Sequence, residues 1–174
     1  MKRSARAFLA GMRGLLRGLV HGLVAAALAL AACAGESAVI YGTRVPDTEE
    51  NRKLIDVCEQ YRIAVEKKDT TSIMALASRS YWEDGGTPTG ADDYGYDGLR
   101  SVLDTRFARA DGIRYTMKYM DIRRVGRNRA VIDVMIDATY SIATASGPRR
   151  LDMRDQNEMT LEFQNGRWQF LSGM

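Results

Sequence analysis

The chain has 174 residues, with 25 Lys and Arg against 22 Asp and Glu, one His and two Cys. Its formal charge of +3 belongs to the first 32 residues, which carry five basic and no acidic side chains; without them the balance is −2, and no case for nucleic-acid binding remains. The single histidine, His21, lies in the same segment, so a chain starting at residue 33 has no imidazole, which excludes Ser-His-Asp, Cys-His and histidine-metal chemistry.

Lys2, Arg3, Arg6, Arg13 and Arg17 form a basic flank ahead of an Ala/Leu-rich apolar run from Leu19 to Ala32. At about fourteen residues the run is short for a membrane span, which needs roughly twenty. A basic flank, a short apolar core and small residues before a cut site describe a secretory signal. Leu30-Ala31-Ala32-Cys33 resembles the signal end of bacterial lipoproteins. That resemblance implies cleavage before Cys33, acylation of its thiol, and attachment by two or three chains, where one chain alone would be marginal. The expected organisation is a signal peptide over 1–32, a lipidated tether over 33–46 and a single domain over 47–174. The expected location is the bacterial cell envelope, facing the periplasm from the outer membrane, because Ala34 rather than Asp follows the cysteine. With Cys33 acylated, Cys58 has no intrachain partner and no disulfide is expected.

Residues 34–46 read as a tether, although Val39-Ile40-Tyr41 could dock on the domain. Asp47 followed by Glu50 resembles a capping box. Leu54, Val57, Cys58, Tyr61 and Val65 then recur at helical spacing, predicting a helix over about 48–67 with Cys58 as a small buried thiol. Asp69 or Thr70 caps a second helix over 71–77. Residues 78–96 hold four glycines and a proline and read as an irregular loop. Its interleaved aromatics and acids, with Glu83 and Asp84 among them, are unusual for a connector; Tyr81, Trp82, Asp92, Asp93, Tyr94 and Tyr96 are candidates for the rim of a ligand site, against the plainer reading of a loop pinned by its own aromatics. The acids lack EF-hand spacing, and no metal or cofactor is expected. Asp97 is placed as the cap of a third helix, with Leu99, Val102, Leu103 and Phe107 on its apolar face and Gly112 as its stop.

From Ile113 the period changes to two. Ile113, Tyr115, Met117 and Tyr119 share one face of a first strand, and Ala130 through Ile142 in steps of two share one face of the next. A third strand over about 149–163 puts Leu151, Met153, Asp155, Asn157, Met159, Leu161 and Phe163 in one register. Asn165-Gly166 is a hairpin signal before a last strand with Trp168 and Phe170. The fold class is α+β: three helices, then a four-stranded antiparallel meander.

Three local stretches carry a resemblance to the nuclear transport factor 2-like (SnoaL-like) superfamily. They are Tyr61 to Asp69 at the end of the first helix, Tyr94 to Leu99 at the entry to the third, and Asn165-Gly166-Arg167-Trp168. The resemblance implies a curved sheet wrapped over helices into a cone with an internal pocket, often in homodimers joined through the sheet. It does not choose a function, because that superfamily holds isomerases, dehydratases, hydrolases and non-catalytic domains.

Asp155 and Asn157 stand out as polar residues in an otherwise apolar register, and a desolvated carboxylate there would be paired or tuned as a base. Tyr115, Tyr119 and Tyr140 are candidate hydroxyl donors beside them. The plainer reading is a strand-end or structurally paired Asp155. Arg123 to Arg129 form a basic hairpin that is either a solvated turn or a contact for anionic lipid. The expected function is a lipoprotein whose cone binds a small apolar-to-amphipathic ligand or a protein partner without catalysis. The rivals are an Asp-dependent enzyme and a structural protein that dimerises through its sheet.

Overall fold

A computed structural model describes residues 38–174, which form one compact unit with its own core. Cys33 and the expected signal segment lie outside the described residues.

Residues 38–46 do not behave as a free tether. Ile40 donates its N–H to Val45 O at 2.9 Å, Val39 bridges Pro46, and Val45 is fully buried. Arg44 N–H reaches Tyr119 O at 3.2 Å. The segment thus folds back as a tight hairpin that buries Val45 and half-buries Ile40, while Val39 and Tyr41 stay exposed.

Helix α1 spans Glu49–Glu66 and α2 spans Thr70–Leu76. The α1 cap is Thr48 rather than Asp47: its hydroxyl accepts from Asn51 N–H at 3.1 Å, while Asp47 is drawn aside by Arg52. Asp69 caps α2 by accepting from Ser72 N–H at 3.0 Å. Leu54, Cys58, Tyr61 and Val65 are buried along one stripe of α1, as their spacing predicts.

The 78–96 loop is not wholly irregular. Two short strands, β1 (Trp82–Glu83) and β2 (Tyr94–Gly95), pair antiparallel into a ribbon. Helix α3 spans Tyr96–Arg109, with Gly95 at the cap position; Asp97 lies in its first turn and makes no cap hydrogen bond. The helix ends before Gly112, which sits inside the next strand at φ +61°, where the pairing register shifts. That backbone region is open to glycine and costly for a Cβ, so Gly112 makes a bulge rather than a helix stop.

The main sheet has the order β3-β4-β5-β6, all antiparallel: β3 Ala110–Val125, β4 Arg129–Thr144, β5 Gly147–Gln164 and β6 Arg167–Ser172. Asn165 and Gly166 both take positive φ at the β5–β6 turn, the geometry that an Asn-Gly pair favours. Across the inner face the rows read Tyr115–Ala138–Met153, Met117–Ile136–Asp155 and Tyr119–Val134–Asn157. Ala130, Ile132, Val134, Ile136 and Ala138 are all buried there against the helices. The outer face is an ion-pair lattice: Arg123 meets Asp133 and Glu158, and Asp137 meets Arg154 at 2.5 Å and Lys118 at 3.9 Å. β6 is six residues long and pairs with residues 160–164 of the eighteen-residue β5. Among the described residues, the first half of β5 therefore has no strand on its outer side.

At the start of the ribbon a buried polar joint fixes the chain to the sheet. Ser78 Oγ donates to Glu162 Oε1 at 2.5 Å, and Gln169 Nε2 donates to Ala77 O at 3.0 Å.

Candidate functional site

The ribbon divides the predicted rim residues between two sides. Alternation along β1 points Tyr81 and Glu83 one way and Trp82 the other. Tyr81 is buried at 2 % exposure, and its hydroxyl donates to Glu83 Oε2 at 2.5 Å and accepts Met174 N–H at 3.3 Å. Glu83 Oε2 also accepts Gly173 N–H at 2.8 Å. The Tyr94 ring lies 6.4 Å from that of Tyr81. Further in, Tyr61 meets Tyr115 edge-on at 6.1 Å and Phe170 at 5.4 Å. A layer of tyrosines thus occupies the inside of the cone.

Beside Tyr94 lies a concavity of about 270 Å³, bounded by Glu83, Asp84, Asp92, Tyr94, Arg106 and Met174. On the other side of the ribbon is a wider, open depression of about 580 Å³ bounded by residues 79–82 and 95–98. Trp82 and Tyr96 belong to that side, where the Arg79 guanidinium stacks on Tyr96 at 4.3 Å. Asp92 and Asp93 also tie the loop together, through Thr87 Oγ1 and Gly85 N–H respectively. Among the described residues no group of three Asp, Glu or Cys converges to hold a metal.

Burial is the first cause of every shifted tyrosine here. It raises Tyr61, Tyr81, Tyr94 and Tyr119; the Glu83 hydrogen bond raises Tyr81 further, and the Arg106 guanidinium opposes the rise at Tyr94. Tyr115 is pushed up to about 12 by burial, and the Asp155 carboxylate adds to the effect. At neutral pH these phenols are protonated. They can donate and accept hydrogen bonds and present ring faces, but they are not bases or nucleophiles.

The strand candidates have separate fates. Asp155 occupies the expected inner-face register opposite Ile136, but it is exposed rather than desolvated, because β6 stops short of this half of β5. Asn157 is committed to structure: Nδ2 donates to Gly173 O at 2.9 Å, and Oδ1 accepts Glu158 N–H at 2.9 Å. Tyr119 OH donates to Glu59 Oε1 at 2.8 Å and fastens α1 to the sheet. Tyr140 sits half-buried opposite Leu151. Only Tyr115 joins the tyrosine layer.

Two residues of the mouth and its floor escape the sequence reading: Tyr61 and Arg106. Tyr61 reads as ordinary core. Arg106 carried a signal, since Leu99, Leu103 and Arg106 fall at i, i+4 and i+7, which puts a guanidinium on the apolar stripe of α3.

Comparison with solved structures supports the fold. A ketosteroid isomerase-like protein from Erwinia carotovora atroseptica superposes with a TM-score of 0.60 at 18% identity, covering 73% of this chain and 95% of that one. A hexachlorocyclohexane dehydrochlorinase gives 0.61 at 11% identity, covering 71% and 82%. A conserved protein from Planctomyces limnophilus gives 0.60 at 13%, covering 71% and 92%. No family model and no curated protein sequence matches the chain. With its three helices and four-stranded antiparallel sheet, the domain has the nuclear transport factor 2-like α+β cone fold. At these identities the likeness is one of fold.

Proposed function

We propose that the protein is a cell-envelope lipoprotein, anchored through Cys33, whose cone binds a small amphipathic ligand at the Tyr94–Glu83–Arg106 mouth without catalysis. The observation that carries the binding reading is the mouth itself. Neutral tyrosine rings lie beneath a rim of opposite charges, Arg106 against Glu83, Asp84 and Asp92. A ligand that lays an apolar face on Tyr94, donates to a rim carboxylate and accepts from Arg106 meets all three chemistries. An apolar surface with a few convergent polar groups is the usual make-up of a small-molecule site.

The Asp-dependent enzyme reading is weaker. A general base tuned by burial needs a desolvated carboxylate, and Asp155 is exposed. Dimerisation through the sheet is weaker too, because the outer face satisfies its charges within one subunit.

Native mass spectrometry of residues 34–174, purified gently from the producing cell, tests the binding reading. An additional mass that leaves on denaturation, and is lost in Arg106→Ala, is expected. A bare wild-type protein that also shows no thermal shift with millimolar amphipathic phenols and amines would refute it. Acyl labelling that persists in Cys33→Ser would refute the anchor.

A further inference from the structure

We infer that the end of the sheet formed by the β3–β4 and β5–β6 turns is a second membrane contact, specific for an anionic lipid surface. Residues 123–129 and 163–168 come together there: Phe163 N–H donates to Asn128 O at 2.7 Å. Between them these stretches hold five arginines and no acid. Arg123 is spent on Asp133 and Glu158, whereas Arg124, Arg127, Arg129 and Arg167 are exposed and form no ion pair among the described residues. Apolar groups stand among them. Val125 is 51% exposed and Phe163 45% exposed, and Phe163 packs on Trp168 at 5.3 Å. Arg124 lies over the Trp168 ring at 4.7 Å. Guanidinium groups interleaved with an aromatic pair and an exposed valine match the boundary between phosphate head groups and acyl chains.

The position of the N-terminus supports the same orientation. Along α1, Glu66 meets Tyr115 and Glu59 meets Tyr119 of β3, so the start of α1 lies toward the Val125 end. Ala38 is held there, its carbonyl accepting Asp47 N–H at 2.6 Å. Asp47 and Glu49 at that helix start are neutralised by Arg52 and Lys53, leaving Glu50 unpaired among the described residues. Cys33 is five residues from Ala38, a reach of at most about 18 Å even when fully extended. An anchor at Cys33 would therefore bring this basic end to the lipid surface. The inference shares the envelope setting of the proposed function, but its chemistry does not depend on acylation.

The test uses residues 34–174, which contain the whole compact unit and lack the acylated cysteine. It measures co-sedimentation with vesicles of phosphatidylcholine alone or mixed with phosphatidylglycerol. Binding is expected only to the mixed vesicles and should weaken as salt rises. An arginine near an anionic surface contributes about fivefold in affinity, so Arg127→Gln with Arg167→Gln should cost roughly 25-fold. Arg149→Gln with Arg150→Gln, at the opposite end of the sheet, should change binding less than twofold. Equal partition onto the two vesicle types overturns the inference, and so does equal loss in the two double variants. Competition by a short DNA duplex at the same affinity would reassign the surface to polyanions in general. Failure here leaves acylation of Cys33 to be judged by its own labelling experiment.

Discussion

Replacing Gly173 with alanine should be the most damaging single methyl addition in the domain. Gly173 has φ +85°, and its N–H and C=O are bound by Glu83 and Asn157 at 2.8 and 2.9 Å. A Cβ there would collide with the Glu158 carbonyl and come within 2.9 Å of Met159 Cα, both backbone groups that cannot swing away. The left-handed conformation alone costs an L-residue about 1–2 kcal/mol. Relieving the clash means withdrawing the chain and losing two hydrogen bonds, one of them to a carboxylate, for a further 2–4 kcal/mol or so. The expected total is roughly 3–6 kcal/mol, a large part of the 5–15 kcal/mol typical of a domain. Gly166→Ala is the control: its φ is +80°, but nothing lies within 4 Å of the added methyl, so only the conformational cost of about 1–2 kcal/mol applies. Urea unfolding of both variants separates the two contributions. Equal losses within about 0.5 kcal/mol, the scale of additivity error, would refute the reasoning.

Other outcomes follow from the buried groups. Cys58 is fully buried and its thiol is pushed far up by desolvation, so iodoacetamide should leave it unmodified until urea unfolds the chain; native-state labelling at the rate of a free thiol would contradict its placement. Of the eight tyrosines, Tyr61, Tyr81, Tyr94, Tyr115 and Tyr119 have raised values, so the folded state holds their protons more tightly than the unfolded chain. The stability these five contribute should be complete below pH of about 10 and fall as pH climbs toward and past 12, with ultraviolet titration showing the five ionising above the range they occupy in the unfolded chain. One common ionisation step near pH 10 for all eight would disprove the tyrosine layer. Ser78→Ala removes the one hydroxyl bonded to buried Glu162 and should cost about 1–3 kcal/mol, whereas a change under 0.5 kcal/mol would mean that water reaches the carboxylate.

The local periodicities carried most of the architecture. The i, i+4, i+7 stripe of α1, the period-two run from Ile113 and the Asn165-Gly166 turn each found its element, because these signals are short-range. What failed was non-local. The β1–β2 ribbon is two residues wide on each side and brings Trp82 beside Gly95, with no run long enough to alternate visibly. Gly112 reads the same in sequence whether it ends a helix or bulges a strand. Asp155 is in the predicted register, yet its solvation depends on how far β6 extends along β5, which no residue near Asp155 encodes. Asn157 stands out in an apolar register because its partner, Gly173, lies sixteen residues away.

That unaccompanied half of β5 explains what Asp155 is for. A bare strand margin exposes a ladder of N–H and C=O groups on which a second chain can polymerise, and proteins defend such margins with proline and with charges, including charges turned inward. Here the exposed stretch begins Pro148-Arg149-Arg150 and continues through Asp152, Arg154 and Asp155. Asp155 is the charge on the inward-facing side: an incoming strand would have to bury its carboxylate against Ile136 and Met117. Its place in an apolar row, which resembles a catalytic signature, suits it as a guard against edge-to-edge aggregation.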